Sequence, residues 1–236
     1  MARRQYSDAA KAFDRALSHD TDSSAAHAGL GRVRELEGDL HAAVAHYQSA
    51  LKKATDRSDY AVALGDALRK SAMTSMQRSA MFEAAMRAYR HALSVNPTCS
   101  AAAVGMGICQ RFSGQHDEAA ESFKLARKLD PNCTEAYLQL GSLLESQSDF
   151  DRALEEYRRA LRLEPENPRL HNAVAALSVR MIGEGGVHAT LARQRALAHY
   201  RKSLEIKPDQ PYVQARLAKL DPSYRTTLSA ASPEVP

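Results

Sequence analysis

Histidine, cysteine and carboxylate side chains are where chemistry would reside, and in this chain their spacing assembles no reaction centre. Nine histidines and three cysteines would be enough for a metal site, but its ligands must come as closely spaced pairs. Cys99, Cys109 and Cys133 contain no Cys-x-x-Cys pair, and His41 and His46 stand five apart, off the i, i+4 helical face that would aim two rings at one ion. The glycine-rich stretch Gly183-Glu184-Gly185-Gly186 lacks the Lys-Ser/Thr that a phosphate-cradling loop requires. It reads as a turn between helices. Carboxylate pairs such as Glu155-Glu156 lie in charged helical segments and read as solvated faces. Nothing sets a nucleophile beside a base. The chain is read as a non-enzyme with no catalytic residues, no cofactor and no metal.

The elements that would position any functional side chain are repeats. Gly107, Ala119, Phe123, Ala126 and Pro131 recur 34 residues later as Gly141, Ala153, Tyr157, Ala160 and Pro165. Each mark has a mechanical reason. A glycine inside a helix costs roughly 1 kcal/mol against alanine, so it signals a second helix packed close against it. The alanines answer from that second helix at the crossing point, and Phe123 and Tyr157, one turn on, fill the wedge. The prolines end the second helix, having no N–H to give and clashing with the preceding turn.

A period of 34 with these marks resembles the tetratricopeptide repeat, a helix–turn–helix unit stacked into a solenoid. The resemblance implies an all-α fold, a right-handed α-solenoid of antiparallel helix hairpins, over 1–222. Its parts are a half repeat at 1–23, repeats at 24–57, 58–99, 100–133, 134–167 and 168–210, and a capping helix at 211–222. Residues 223–236 are expected to be a disordered tail. His27 and His171 occupy the place of a large core aromatic in the first helix, and Cys99 and Cys133 follow the Pro97 and Pro131 turns. All four read as packing residues, the cysteines in a reducing compartment.

Hydrophobic content of 44% suffices for one continuous core, and a net charge of +4 reads as ordinary solubility. No apolar run reaches the roughly 18–20 residues of a membrane span, and Met-Ala-Arg-Arg has no apolar region after it, so no secretory signal is read. A cytoplasmic location is expected, with an organelle or cilium left open.

The resemblance also implies a function: a non-catalytic scaffold or adaptor, a subunit of a multiprotein complex, holding a partner's peptide or helix. First helices would line a concave groove. There Val104, Ile108, Phe112 and Leu138 would form an apolar strip, with Gln139 beside it and Arg111, Glu145 and Arg180 flanking. Val104 and Ile108 could instead pack against neighbouring helices. Two known peptide clamps do not fit. The lysine and asparagine of the carboxylate clamp are replaced by Ala28 and Arg32, or by Val104 and Ile108. The asparagine ladder is replaced by Gly29, Ala63, Gly105, Gln139 and Ala173.

The lengthened units offer a second surface. In 58–99 the capping-box sequence Thr74-Ser75-Met76-Gln77 predicts a second helix from near Ser75 to Val95, projecting on the order of 12 Å with Met73, Met76 and Met81 upon it. A partner could engage this hairpin edge. At the N-terminus, Tyr6, Ala9, Phe13 and Ala16 repeat the second-helix marks without a first helix. Tyr6 and Phe13 would then make a contact in trans, or follow missing upstream repeats. The alternative function is an RNA-associated helical-repeat protein using Arg158, Arg159, Arg162, Arg193 and Arg195, but these lie mostly on second helices with no periodic groove code. Nucleic acid is the less favoured partner.

Overall fold

The computed structural model describes residues 2–183 and 187–224. Every regular element among them is an α-helix: α1 (Ala2–His19), α2 (Ser24–Glu37), α3 (Leu40–Lys53), α4 (Ser58–Ala72), α5 (Arg78–Val95), α6 (Ser100–Phe112), α7 (His116–Leu129), α8 (Thr134–Ser146), α9 (Phe150–Leu163), α10 (Pro168–Ile182), α11 (Val187–Ile206) and α12 (Pro211–Leu220). They divide into two compact units, Met1–Cys133 and Thr134–Pro236. The first holds α1 and the hairpins α2/α3, α4/α5 and α6/α7. The second holds the hairpins α8/α9 and α10/α11, followed by α12. No described helix is long and apolar enough to cross a membrane.

Short polar side chains open many of these helices. The carboxylates of Asp39 and Asp149 accept from the amides of Ala42 and Arg152, and Asn167 accepts from Arg169, satisfying N–H groups that the first turn leaves unpaired. Inside three hairpins the turn passes through the left-handed region, at Gly38 (φ 87°), Gly114 (φ 79°) and Ser148 (φ 63°). Only glycine enters that region without cost, so Ser148 carries about 1–2 kcal/mol of strain. Second helices stop at Asn96, Asp130 and Glu164, each just before a proline.

Packing follows the repeat marks. A Cβ added to Gly31, Gly65, Gly107 or Gly141 would fall within 2.8 Å of the ring of Tyr47, Tyr89, Phe123 or Tyr157 respectively. Each of these four hairpins thus closes with an aromatic ring set against a bare stretch of helix. The rings also reach forward: Tyr89 lies against Gly105 of the next first helix, as Phe13 lies against Gly29. In the second unit Ala175 takes the glycine place, and it shares a core with Tyr200, Val213 and Leu217. Burying each such ring contributes about 1.5–3 kcal/mol.

Three expectations are corrected here. The second helix of the 58–99 unit starts at Arg78, because Thr74 Oγ1 donates back to the Ser71 carbonyl and Ser75 Oγ accepts from the Gln77 amide, so no capping box forms. The extra residues are shared between α4, the turn and α5. With 18 residues against 14 in α7, α5 is longer by roughly 6 Å, half the expected projection. Met81 is not on that edge; it packs against the core of Phe82, Ala85 and Tyr89. Tyr6 and Phe13 pack in cis, half-buried against Leu30 and Val33 of α2, because a second-helix ring seats on the following first helix. Residues 184–186 of the glycine-rich turn and 225–236 of the expected tail lie outside the described residues.

Candidate functional site

In the first unit α2 and α4 present one wall each of a cleft of about 400 Å³. Arg32, Glu35 and Leu36 come from α2, Asp59, Val62, Ala63, Asp66 and Lys70 from α4, and Tyr47 closes the floor from α3. The helical period places these residues together: Arg32, Glu35 and Leu36 are three and four apart, as are Asp59, Val62, Ala63, Asp66 and Lys70.

All three carboxylates of the cleft are held. Glu35 accepts the Tyr47 hydroxyl at 2.9 Å and the Lys70 ammonium on its other oxygen. Burial alone would raise the Glu35 carboxyl, but these donors outweigh it and keep it below its ordinary value. Asp66 accepts the Tyr89 hydroxyl at 2.8 Å and Arg69 Nη2 at 3.0 Å. Asp59 is gripped by Arg57 through two N–H groups, at 2.9 and 2.7 Å, and its carboxyl is lowered by that contact. Burial first, then the adjacent carboxylate, pushes the Tyr47 and Tyr89 hydroxyls up, so both remain protonated donors. Arg32 is exposed and makes no hydrogen bond among the described residues, but its charge stands close enough to the Glu35 carboxyl and the Tyr47 hydroxyl to pull both downward. Leu36 beside it is 50% exposed.

The tyrosine–acid–base arrangement recurs in the second unit. Tyr157 donates to Glu145 Oε2 at 2.9 Å, and Arg180, from the next first helix, donates to Glu145 Oε1 at 3.2 Å while lying 4.9 Å over the Phe150 ring. One repeat-length separates the bases from their acids in both cases: Lys70 and Arg180 each stand 35 residues after them. On the same helices Glu135 holds Gln139 at 2.7 Å and Arg169 at 3.2 Å. Gln139 Oε1 and Asn172 Oδ1 are buried without a partner among the described residues.

The residues singled out from the sequence fare unevenly. Val104 and Ile108 are only 6% and 7% exposed, so the open apolar strip built on them is absent; Gly105 lets α6 seat against Tyr89 and draws its flanks inward. Phe112 stays 40% exposed, but its inner face stacks on Phe82 with ring centroids 5.8 Å apart and planes 10° off parallel. Arg111 lies 5.1 Å over the same ring. Leu138, Gln139 and Glu145 are half-buried, and Arg180 is exposed yet paired. Met73 and Met76 are exposed. Arg159 is tied to Glu155 and Glu156, and Arg193 to the Leu220 carbonyl.

Two histidine pairs were not foreseen. His27 and His46 bring their Nδ1 atoms to 3.5 Å, and His171 and His199 bring theirs to 2.8 Å, each across the two helices of one hairpin. His171 Nε2 also lies 2.8 Å from the Pro165 carbonyl, to which it donates, leaving its Nδ1 as the acceptor from His199. No cluster of three or more metal-ligating side chains occurs among the described residues. The three cysteines are free thiols, and burial pushes Cys109 up to about 12.

Tetratricopeptide-repeat models match residues 1–60 and 77–132 and, separately, 113–177. The chain belongs to the tetratricopeptide-repeat family. Members of this family, the tetratricopeptide-repeat proteins, are in general non-catalytic modules for protein–protein interaction. Similar solved structures include a thermophilic TPR protein of Thermus thermophilus, TTC0263, with 23% identity over 75% of this chain and 93% of that one at a TM-score of 0.66. Pseudomonas aeruginosa pilF has 19% identity over 92% and 91% at 0.67. YrrB, described as a TPR protein with an unusual peptide-binding site, has 19% identity over 88% and 98% at 0.53. At these identities the likeness concerns the fold. No curated protein sequence matches.

Proposed function

We propose that this chain is a non-catalytic scaffold, a subunit of a multiprotein assembly, that holds a segment of a partner protein on the first-helix face of its first unit. The α2–α4 cleft is the centre of that contact. The observation that carries this reading is the make-up of the cleft: its carboxylates are hydrogen-bonded within the fold, while the Arg32 guanidinium makes no hydrogen bond among the described residues and Leu36 stands 50% exposed beside it. Phe112, exposed on one face, and Arg111 above it extend the surface along α6. The peptide-binding site named for YrrB is in keeping with such a use.

A photo-crosslinking residue placed at Leu36 tests it, with the same residue at Leu125, an exposed position of α7, as control. Discrete adducts from Leu36 and none from Leu125 are expected in extract from the native cell. Equal labelling at both positions would remove the cleft as the site.

A further inference from the structure

We infer that Arg158 of α9 and Arg195 and His199 of α11 form a binding site for a tetrahedral dianion of the phosphate class, on the second helices of the second unit.

Placement comes first. Arg195 and His199 stand four apart, one turn along the same face of α11. Two ties hold that face near the end of α9. His199 Nδ1 lies 2.8 Å from His171 Nδ1, whose ring reaches the Pro165 carbonyl at 2.8 Å, and Lys202 meets Glu166 at 3.3 Å. Arg158, in the last turns of α9, is close enough for its charge to bear on both Arg195 and His199.

Charge selects the ligand. Neighbouring bases on these helices are committed: Arg152 to Asp149, Arg159 to Glu155 and Glu156, Arg193 to the Leu220 carbonyl and Arg201 to Asp221. Arg158 and Arg195 make no hydrogen bond or ion pair among the described residues. Arg195 is half-buried, and burial first, then the Arg158 charge, holds its guanidinium below the ordinary value; Asp151 acts the other way without cancelling them. The surroundings are therefore short of negative charge. A carboxylate would answer one guanidinium. A dianion with tetrahedral oxygens can accept from both forks at once and remove their mutual repulsion.

The imidazole supplies the third donor. With His171 Nε2 donating to Pro165, His171 Nδ1 accepts from His199 Nδ1, and His199 Nε2 is left without a proton or a hydrogen-bond partner among the described residues. The charged and titratable groups facing this ring are His171 from α10, Arg158 from α9, and Arg195 and Lys202 from α11, Lys202 being tied to Glu166. Burial and these positive charges keep the ring neutral down to about 4. A bound dianion reverses that balance: Nε2 takes one proton from solvent and donates to an anion oxygen, while Nδ1 keeps its bond to His171. Affinity for the anion should therefore rise as pH falls.

The test follows the His199 ring by NMR through a pH titration of the full 236-residue chain, with millimolar sulfate as the probe because sulfate stays doubly charged throughout. Adding sulfate should raise His199 from about 4 by about 1–3 pH units, and sodium chloride at equal ionic strength should not. Arg158→Gln and Arg195→Gln should each abolish most of this response to sulfate. Arg152→Gln, which removes a charge of α9 already paired with Asp149, should keep it. Arg158 is exposed, so R158Q carries the test even if circular dichroism shows that R195Q does not fold. Repeating the titration with inorganic phosphate and with a phosphoserine peptide tells a free anion from a phosphorylated chain, by which gives the larger rise at equal concentration. An equal response to chloride, a response to sulfate that survives in R158Q, or no rise with either phosphate probe overturns the inference.

Discussion

The Tyr157 hydroxyl donates to Glu145 at 2.9 Å, twelve positions earlier in the chain, and Tyr47 donates to Glu35 over the same distance and the same interval. In both units, then, a second-helix ring is buried for packing and its one polar atom bonds an acid of the first helix of the same hairpin. Tyr47→Phe and Tyr157→Phe should each lower stability by about 1 kcal/mol, read as a fall in urea midpoint with unchanged m-value. A loss below about 0.3 kcal/mol at both sites would mean that water replaces the hydroxyl.

The Phe82–Phe112 stack is lopsided, with Phe82 buried at 1% exposure and Phe112 at 40%. Phe82→Ala should cost about 3–5 kcal/mol and Phe112→Ala only about 1 kcal/mol. A double-mutant cycle should return a coupling of about 0.5–1.5 kcal/mol.

Ile108 tests the burial of α6 directly. At 7% exposure it has no room for a charge, and Ile108→Asp should cost several kcal/mol, seen as a steep fall in melting temperature. A melt near the wild-type value would return Ile108 to the open groove.

Much of the fold was legible in the sequence because the repeat marks are local: a glycine, two alanines, a ring and a proline at fixed offsets report one hairpin each. The site was less so. Val104 and Ile108 occupy groove-facing offsets, but how deeply they sink depends on how closely α6 approaches Tyr89, which a single-helix count cannot supply. The Tyr47–Glu35–Lys70 chain was within reach, since Glu35 and Glu145 share one repeat position, yet its base arrives from the following repeat. The pairing of His27 with His46 and of His171 with His199, 19 and 28 residues apart, emerges only once the helices cross.

The His171–His199 pair makes stability depend on acidity. Burial, then the charges of His171, Arg195 and Arg158, holds His199 at about 4, below its ordinary 6.5. The unfolded chain takes up its proton as pH falls through 6.5, while the folded chain resists until about 4, so stability is full above that window and is lost across it on acidification. His199→Gln should flatten this part of the profile, measured by urea denaturation at pH 7.5, 6, 5 and 4.

Gly105 should tolerate no side chain. An added Cβ would stand 2.3 Å from the Tyr89 ring, so Gly105→Ala is expected to cost about 1–3 kcal/mol through displacement of that ring. Gly114→Ala meets nothing within 4 Å but sits at φ 79°, and should cost about 1–2 kcal/mol through its backbone alone. Thermal melts distinguish them, because replacing Tyr89 by Leu relieves only the first.

The ring of Tyr89, seated on Gly65 behind it and Gly105 ahead of it, has a kinetic consequence. Neither α4 nor α6 can lift away without exposing the same ring, so the junction has no half-open state of low energy. Amide protons in α4, α5 and α6 should therefore exchange with solvent in a single opening event, making this stretch the slow block of the first unit and any unzipping of the array a step rather than a fraying.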